Sequence, residues 1–344
     1  MNNISKKKPY YKINERLFQY LDKYKRVVNL TIYYNDLLQY AQAFPLIDKY
    51  GKDTLWETIF YDPYRNEELN TGLTQMYSLL KTDGDISVME HLYVDRIDFC
   101  TFGNSKPFRV RIVNQLNDNY DYFYIKRADA SRIYGLELEH MLSPNHINYF
   151  VSKETLIEEH IAGIPGDNFI LEYLVTERVN KVRIAKEFVK FNERCFVRLL
   201  GDMRSYNYVI DITPDFEDEQ YRIRAIDFDQ QSYEGRKSLY LPQFYKENSE
   251  LVKLCSELLN PQTIKQYQFE ERTLIGKRLQ SNRYRMKDLM DNLNLDTISS
   301  KEKIVQLREE LSKQHESKMF LKCNSMAEIL RLNIKIVLNK PAPF

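Results

Sequence analysis

The sequence has little glycine, no paired cysteines and no surplus of either charge. Ten glycines in 344 residues exclude a glycine-rich or low-complexity chain. No stretch reads G-x-x-x-x-G-K-[ST], which excludes the phosphate cradle of a P-loop NTPase at motif level. Cys100, Cys195, Cys255 and Cys323 stand far apart with no C-x-x-C among them, so they read as reduced structural thiols rather than a disulfide frame or a zinc site. No run approaches the roughly 18 apolar residues of a membrane span. The charged start MNNISKKKPYYK has no apolar region behind it, and the expectation is a cytoplasmic chain with no membrane partner. Lys+Arg number 50 and Asp+Glu 49, which leaves a net charge of +1. That supplies no basic field to gather nucleic acid and no acidic tail, so nucleic acid is not an expected partner. What the chain does have is 26 Tyr and 18 Phe, ample bulk for a core.

The most informative stretch is Phe196–Asp229. An apolar run, Phe196 to Leu200, leads into Gly201-Asp202; a second, Tyr208 to Ile212, follows Asn207; a third, Tyr221 to Ile226, ends in Asp227-Phe228-Asp229. The pattern predicts strand, loop, strand, turn, strand, with an acid or amide at the strand ends. Phosphoryl transfer from a nucleotide needs a carboxylate for the acceptor hydroxyl and oxygen ligands for Mg²⁺, and Asp202, Asn207 and Asp227 can supply those roles in that order. Such residues also simply terminate strands and make turns.

D-x-x-x-x-N followed by a strand ending in D-F-x resembles the catalytic and metal loops of the protein-kinase-like superfamily. The Gly201-Asp202 pair and the Ile226–Asp229 ending are most similar in style to aminoglycoside and choline phosphotransferases and to HipA-type kinases. The His-Arg that precedes the catalytic Asp of protein kinases is missing, and Asp229 stands in place of the usual Gly. The resemblance implies an α+β, bilobal protein-kinase-like fold with ATP and Mg²⁺ as cofactors. It implies a small antiparallel-sheet N-lobe, a mainly helical C-lobe, and helical extensions at both ends. Asp202 becomes the catalytic base, and Asn207 and Asp227 the metal ligands.

The rest of the chain is read against that resemblance. Residues 1–90 carry apolar positions at helical spacing around Leu17, Phe18, Leu21 and Tyr24, over Leu30 to Tyr40 and over Thr71 to Leu80, and are expected to be a mostly helical extension. Residues 91–163 are the expected N-lobe, with strands over Leu92–Thr101, Phe108–Val113 and Tyr122–Ala128. The turn around Gly103 would cover the nucleotide phosphates, and Lys126 would reach them. The helix Ser131–Leu142 offers Glu137 as partner for that lysine, because Glu137 flanks the apolar stripe while Glu139 points away from it. Strands over Ile147–Ser152 and Thr155–Ile161 follow, and Glu159, His160 and Ile161 would be the hinge that meets the adenine. Residues 164–344 are the expected C-lobe with its C-terminal extension. A long helix is predicted within Asn168–Arg194, and others over Glu250–Leu259, Thr263–Leu293, Lys301–Gln314 and Met326–Leu338. Tyr233, Arg236 and Lys237 form a possible acceptor-facing loop, and Lys277, Arg278, Arg283, Arg285 and Lys287 a solvated helix face.

Three functions fit these residues. The first is a kinase that transfers the γ-phosphate of ATP to a protein or small-molecule hydroxyl. The second is a kinase-like scaffold, weak or inactive, that acts through protein contacts. The third takes Asp227-Phe228-Asp229 as the D-x-D metal site of a nucleotide-sugar transferase.

Overall fold

A computed structural model describes residues 8–48, 50–82, 90–101, 105–177, 179–216 and 219–339. The fold is α+β and divides into two compact units, Met1–Ala130 with Ile147–His160, and Ser131–His146 with Ile161–Phe344. The chain passes from the first unit to the second for the last time between His160 and Ile161.

The first unit contains helices α1 (Glu15–Lys23), α2 (Tyr34–Leu37) and α3 (Asn66–Thr82) and seven strands. These are β1 (Gln42–Ile47), β2 (Asp53–Phe60), β3 (Leu92–Cys100), β4 (Phe108–Asn114), β5 (Tyr120–Arg127), β6 (Tyr149–Ser152) and β7 (Thr155–Glu159). They form one sheet in the order β1-β2-β3-β4-β5-β7-β6, antiparallel throughout. Its core face carries Ile97, Phe99, Phe108, Val110, Phe123, Ile125 and Ile157, packed with Leu69, Leu73 and Met76 of α3. Period-2 alternation accounts for this, since Phe123 and Ile125 turn one way and Tyr122, Tyr124 and Lys126 the other.

The first 90 residues therefore depart from the helical expectation. Residues 42–60 form a hairpin that extends the sheet, and the helix expected over 30–40 shrinks to four residues. The β-branched and aromatic side chains of DTLWETIF suit a pleated ladder better than a helix face.

The second unit begins at Ser131, within α4 (Ala130–Leu142). It continues through β8 (Ile164–Pro165), α5 (Gly166–Asn168) and a single π turn at Phe169–Tyr173 to α6 (Lys181–Arg198). Next come β9 (Tyr208–Pro214) and β10 (Glu219–Ala225), which with β8 make a three-stranded sheet in the order β10-β9-β8. Helices α7 (Ser249–Leu258), α8 (Pro261–Ser281), α9 (Arg283–Leu295), α10 (Lys301–Gln314) and α11 (Met326–Leu338) complete it.

Helix α6 starts only at Lys181, where the Asn180 side chain caps the Arg183 N–H, and the preceding residues wind as separate short turns. It also runs further than expected. Phe196–Arg198, read as the start of a strand, are its last turn, and Leu199 ends it in left-handed geometry at φ 54°. A short apolar run buried on every side looks the same in a strand and in a helix, which is why FVRLL misleads. Among the described residues no helix is long and apolar enough to cross a membrane.

Candidate active site

Immediately after α6, the chain makes a tight loop that ends in β9. Leu199 and Asp202 both adopt left-handed backbone, Asp202 at φ 58°. Asp tolerates that region better than most residues because its short side chain bonds locally. The Asp202 N–H donates to the Tyr245 hydroxyl at 2.9 Å and to the Leu239 carbonyl at 3.2 Å, so the residue is anchored from a segment 40 residues downstream in sequence.

Asn207 closes the loop. Its Nδ2 donates to the Asp202 carbonyl at 2.7 Å, and its own carbonyl accepts the Ile226 N–H at 3.0 Å, which sets Asp227 beside it at the end of β10. The structure thus brings Asp202, Asn207 and Asp227 together within one unit through main-chain and amide bonds. The Asp202 carboxylate accepts from Arg204 Nε at 2.9 Å, and Arg204 also reaches Glu247 at 2.6 Å. Burial pushes the Asp202 carboxyl up, while the bond and charge of Arg204 pull it down, with burial prevailing.

Asp227 and Asp229 share a buried cation that the sequence did not advertise. Arg132 of α4, 1% exposed, donates from one terminal nitrogen to Asp227 Oδ1 at 2.9 Å and to Asp229 Oδ1 at 3.0 Å. Its other terminal nitrogen donates to the Ile226 carbonyl at 3.3 Å. The Asp229 N–H turns back on Asp227 Oδ1 at 3.0 Å, and Ser131 Oγ donates to the carbonyls of Asp229 and Gln231. Helix α4 therefore clamps the Ile226–Gln231 segment.

The lysine and its partner depart from the sequence reading. Lys126 lies on β5 and pairs with Glu158 of β7 at 2.7 Å, both side chains nearly buried. The register explains it: Lys126 faces Leu156 and Tyr124 faces Glu158, so Lys126 and Glu158 are diagonal neighbours on one sheet face. Glu137 instead gives both carboxylate oxygens to Arg285 of α9, at 2.7 and 2.8 Å. Glu139 does not point to solvent as its helical angle suggested; it is buried and ion-paired with Arg198. Helix α4 is enclosed on all sides, so an angle measured from one apolar stripe could not rank its two acids. Arg278 also turns inward, to Glu271 and the Leu142 carbonyl, and with Arg285 it departs from the solvated face expected of that cluster.

Of the residues read as the hinge, Glu159 donates its N–H to the Asn148 carbonyl, and its carboxylate accepts the Asn148 N–H. His160 packs on Tyr122 and Tyr124 and meets the Tyr124 hydroxyl at 3.3 Å, with burial holding its imidazole below the usual range. Ile161 is buried in the second unit. Gly103 lies outside the described residues. Tyr233, read as acceptor-facing, is buried with Lys303 over its ring at 3.5 Å.

Among the described residues no three His, Cys, Asp or Glu side chains cluster closely enough to hold a metal ion. The donor set at the loop is instead a carboxylate and an amide. Asn207 commits its Nδ2 to the Asp202 carbonyl, which turns Oδ1 the other way, and the Asp227 side chain is about a third exposed. A carboxylate and an amide oxygen are the donor types by which Mg²⁺ is held beside a nucleotide.

No family model and no curated protein matches the sequence. Among solved structures, the chain is similar to the autoinhibited serine kinase domain of the giant muscle protein titin at 13% identity, over 71% of this chain and 92% of that one, with a TM-score of 0.29. It is similar, at the same identity and TM-score, to titin kinase and its flanking domains, of which it covers 54%. A superposition at that level carries no argument about chemistry, which rests on the loop itself.

Proposed function

We propose that the chain is an ATP- and Mg²⁺-dependent phosphotransferase that moves the γ-phosphate to a hydroxyl of a protein or small-molecule acceptor. One observation carries this reading: Asp202, Asn207 and Asp227, separated in sequence, are tied into one loop pair by Asn207 Nδ2 to the Asp202 carbonyl and by the Ile226 N–H to the Asn207 carbonyl. Asp202 receives the acceptor proton at its carboxylate, held in place by Arg204. Asn207 Oδ1 and the Asp227 carboxylate would hold Mg²⁺, which when bound neutralises phosphate charge. Lys126, kept straight by Glu158, is the proposed contact for the nucleotide phosphates; Glu159, His160 and Ile161 are proposed for the base. Such a site works by position and charge rather than by covalent chemistry.

The test is the melting temperature with ATP, with and without Mg²⁺. Ligand at ~100 times its Kd stabilises the native state by about 2.7 kcal/mol. Asp227→Ala should remove the Mg²⁺-dependent part.

The scaffold reading keeps one observation in its favour: Glu137 is committed to Arg285, so the lysine-helix pair that marks an active kinase is replaced by a pair within the sheet. No shift with millimolar ATP would favour it. The nucleotide-sugar reading fits less well, since Asp229 is 6% exposed and turned onto Arg132.

A further inference from the structure

Resting on the proposed metal-dependent reading, we infer that Arg132 is a positioning residue that takes the place of a second cation at the end of β10, so that the site binds one divalent ion and not two. Asp227 and Asp229 are separated by one residue, and both direct an oxygen to the same guanidinium nitrogen, at 2.9 and 3.0 Å. Two carboxylates so close repel each other, and water screens them little because Asp229 is buried. A fixed positive charge between them relieves that repulsion, and guanidinium, always protonated and planar, is the side chain suited to it. Arg132 is fixed in turn by the Ile226 carbonyl, while its neighbour Ser131 holds the carbonyls of Asp229 and Gln231. Asp227 is also held from the main chain by the Asp229 N–H on Oδ1. Arg132 thus neutralises Asp229, leaves the pair with a single net negative charge, and assigns Oδ1 of Asp227 to the protein. One net negative charge is what remains there to draw a divalent ion.

The experiment titrates the full chain with Mn²⁺ alone and counts bound ion by the loss of free-ion paramagnetic resonance signal. Wild type is expected to bind one Mn²⁺, lost in Asp227→Ala. Arg132→Gln, which removes the charge and keeps a donor, is expected to bind Mn²⁺ roughly tenfold more tightly or to take a second ion, because two close carboxylates are then unneutralised. The double variant Arg132→Gln/Asp229→Asn removes one charge of each sign and should return to one ion at near wild-type affinity; it serves if the single variant does not fold. Two ions on wild type, or a double variant that binds two, would overturn the role of Arg132 and leave the phosphotransferase reading standing. No Mn²⁺ on wild type at millimolar concentration would sink both.

Discussion

Asp202→Asn separates chemistry from folding more cleanly than any other change to this loop. Asparagine also tolerates the left-handed backbone at φ 58°, so the loop keeps its path and its bonds to Tyr245 and Leu239. What is lost is the charge that meets Arg204, a pair whose side chains are 25% and 36% exposed and therefore well screened. Arg204 retains Glu247 at 2.6 Å, so no cation is stranded. Removing a carboxylate that burial disfavours offsets part of the loss. The net stability cost should stay within about 1 kcal/mol. Loss of the proton acceptor should lower turnover by ~10²–10⁴-fold, about 2.7–5.4 kcal/mol in the barrier. ATP affinity should not change, because Asp202 acts on the acceptor. The assay pairs ATP affinity by thermal shift with slow ATP hydrolysis or autophosphorylation, next to a denaturant melt. A well-folded Asp202→Asn chain that turns over ATP at the wild-type rate would refute the assignment.

Three further outcomes follow from the same geometry. The acid limb of turnover should lie above the ordinary aspartate range, since burial raises Asp202, and Arg204→Gln should move that limb higher still; a pH-rate profile reads both. The sign for stability is the reverse, with any contribution of Asp202 present at low pH and lost as pH rises through its folded value. Glu158→Gln should weaken ATP binding more than Glu137→Gln does, while Glu137→Gln, which removes the buried carboxylate charge that meets Arg285 through two bonds, should cost roughly 3–5 kcal/mol in a denaturant melt. In Gly135→Ala, the new Cβ would stand 2.9 Å from Phe228 Cβ and 3.2 Å from the Phe228 carbonyl, so the segment around Phe228 must shift. Overpacking of about 1–3 kcal/mol and loss of the Mg²⁺-dependent part of the ATP shift are expected.

What could be read from the chain was what local spacing encodes. D-x-x-x-x-N and D-F-D each abut a β-strand, β9 after Asn207 and β10 before Asp227, and this much was legible because turn acids and alternating strands are short-range features. The last four helical stretches were legible for the same reason, with α8 and α9 read as one because only Asn282 separates them. Partners were not legible. Lys126 finds Glu158 through strand order, and Arg132 finds Asp227 across 95 residues, neither of which any window of sequence contains. Burial on all sides hid the rest: Phe196–Arg198 are helix where a strand was expected, and Glu137 and Glu139 of α4 are both interior.

The pairing of Glu137 with Arg285 also has a consequence in time. The two residues are 148 positions apart. At a synthesis rate of about 5–20 residues per second, Glu137 is made roughly seven to thirty seconds before its partner. Through that interval the Glu137 carboxylate of α4 is without the Arg285 guanidinium that meets it in the folded chain, so the packing of the helix that holds Asp227 and Asp229 is completed late. A nascent chain halted before α9 should keep α4 open to proteolysis, and the Asp202–Asp229 segment should take its final form only once Arg285 has been made.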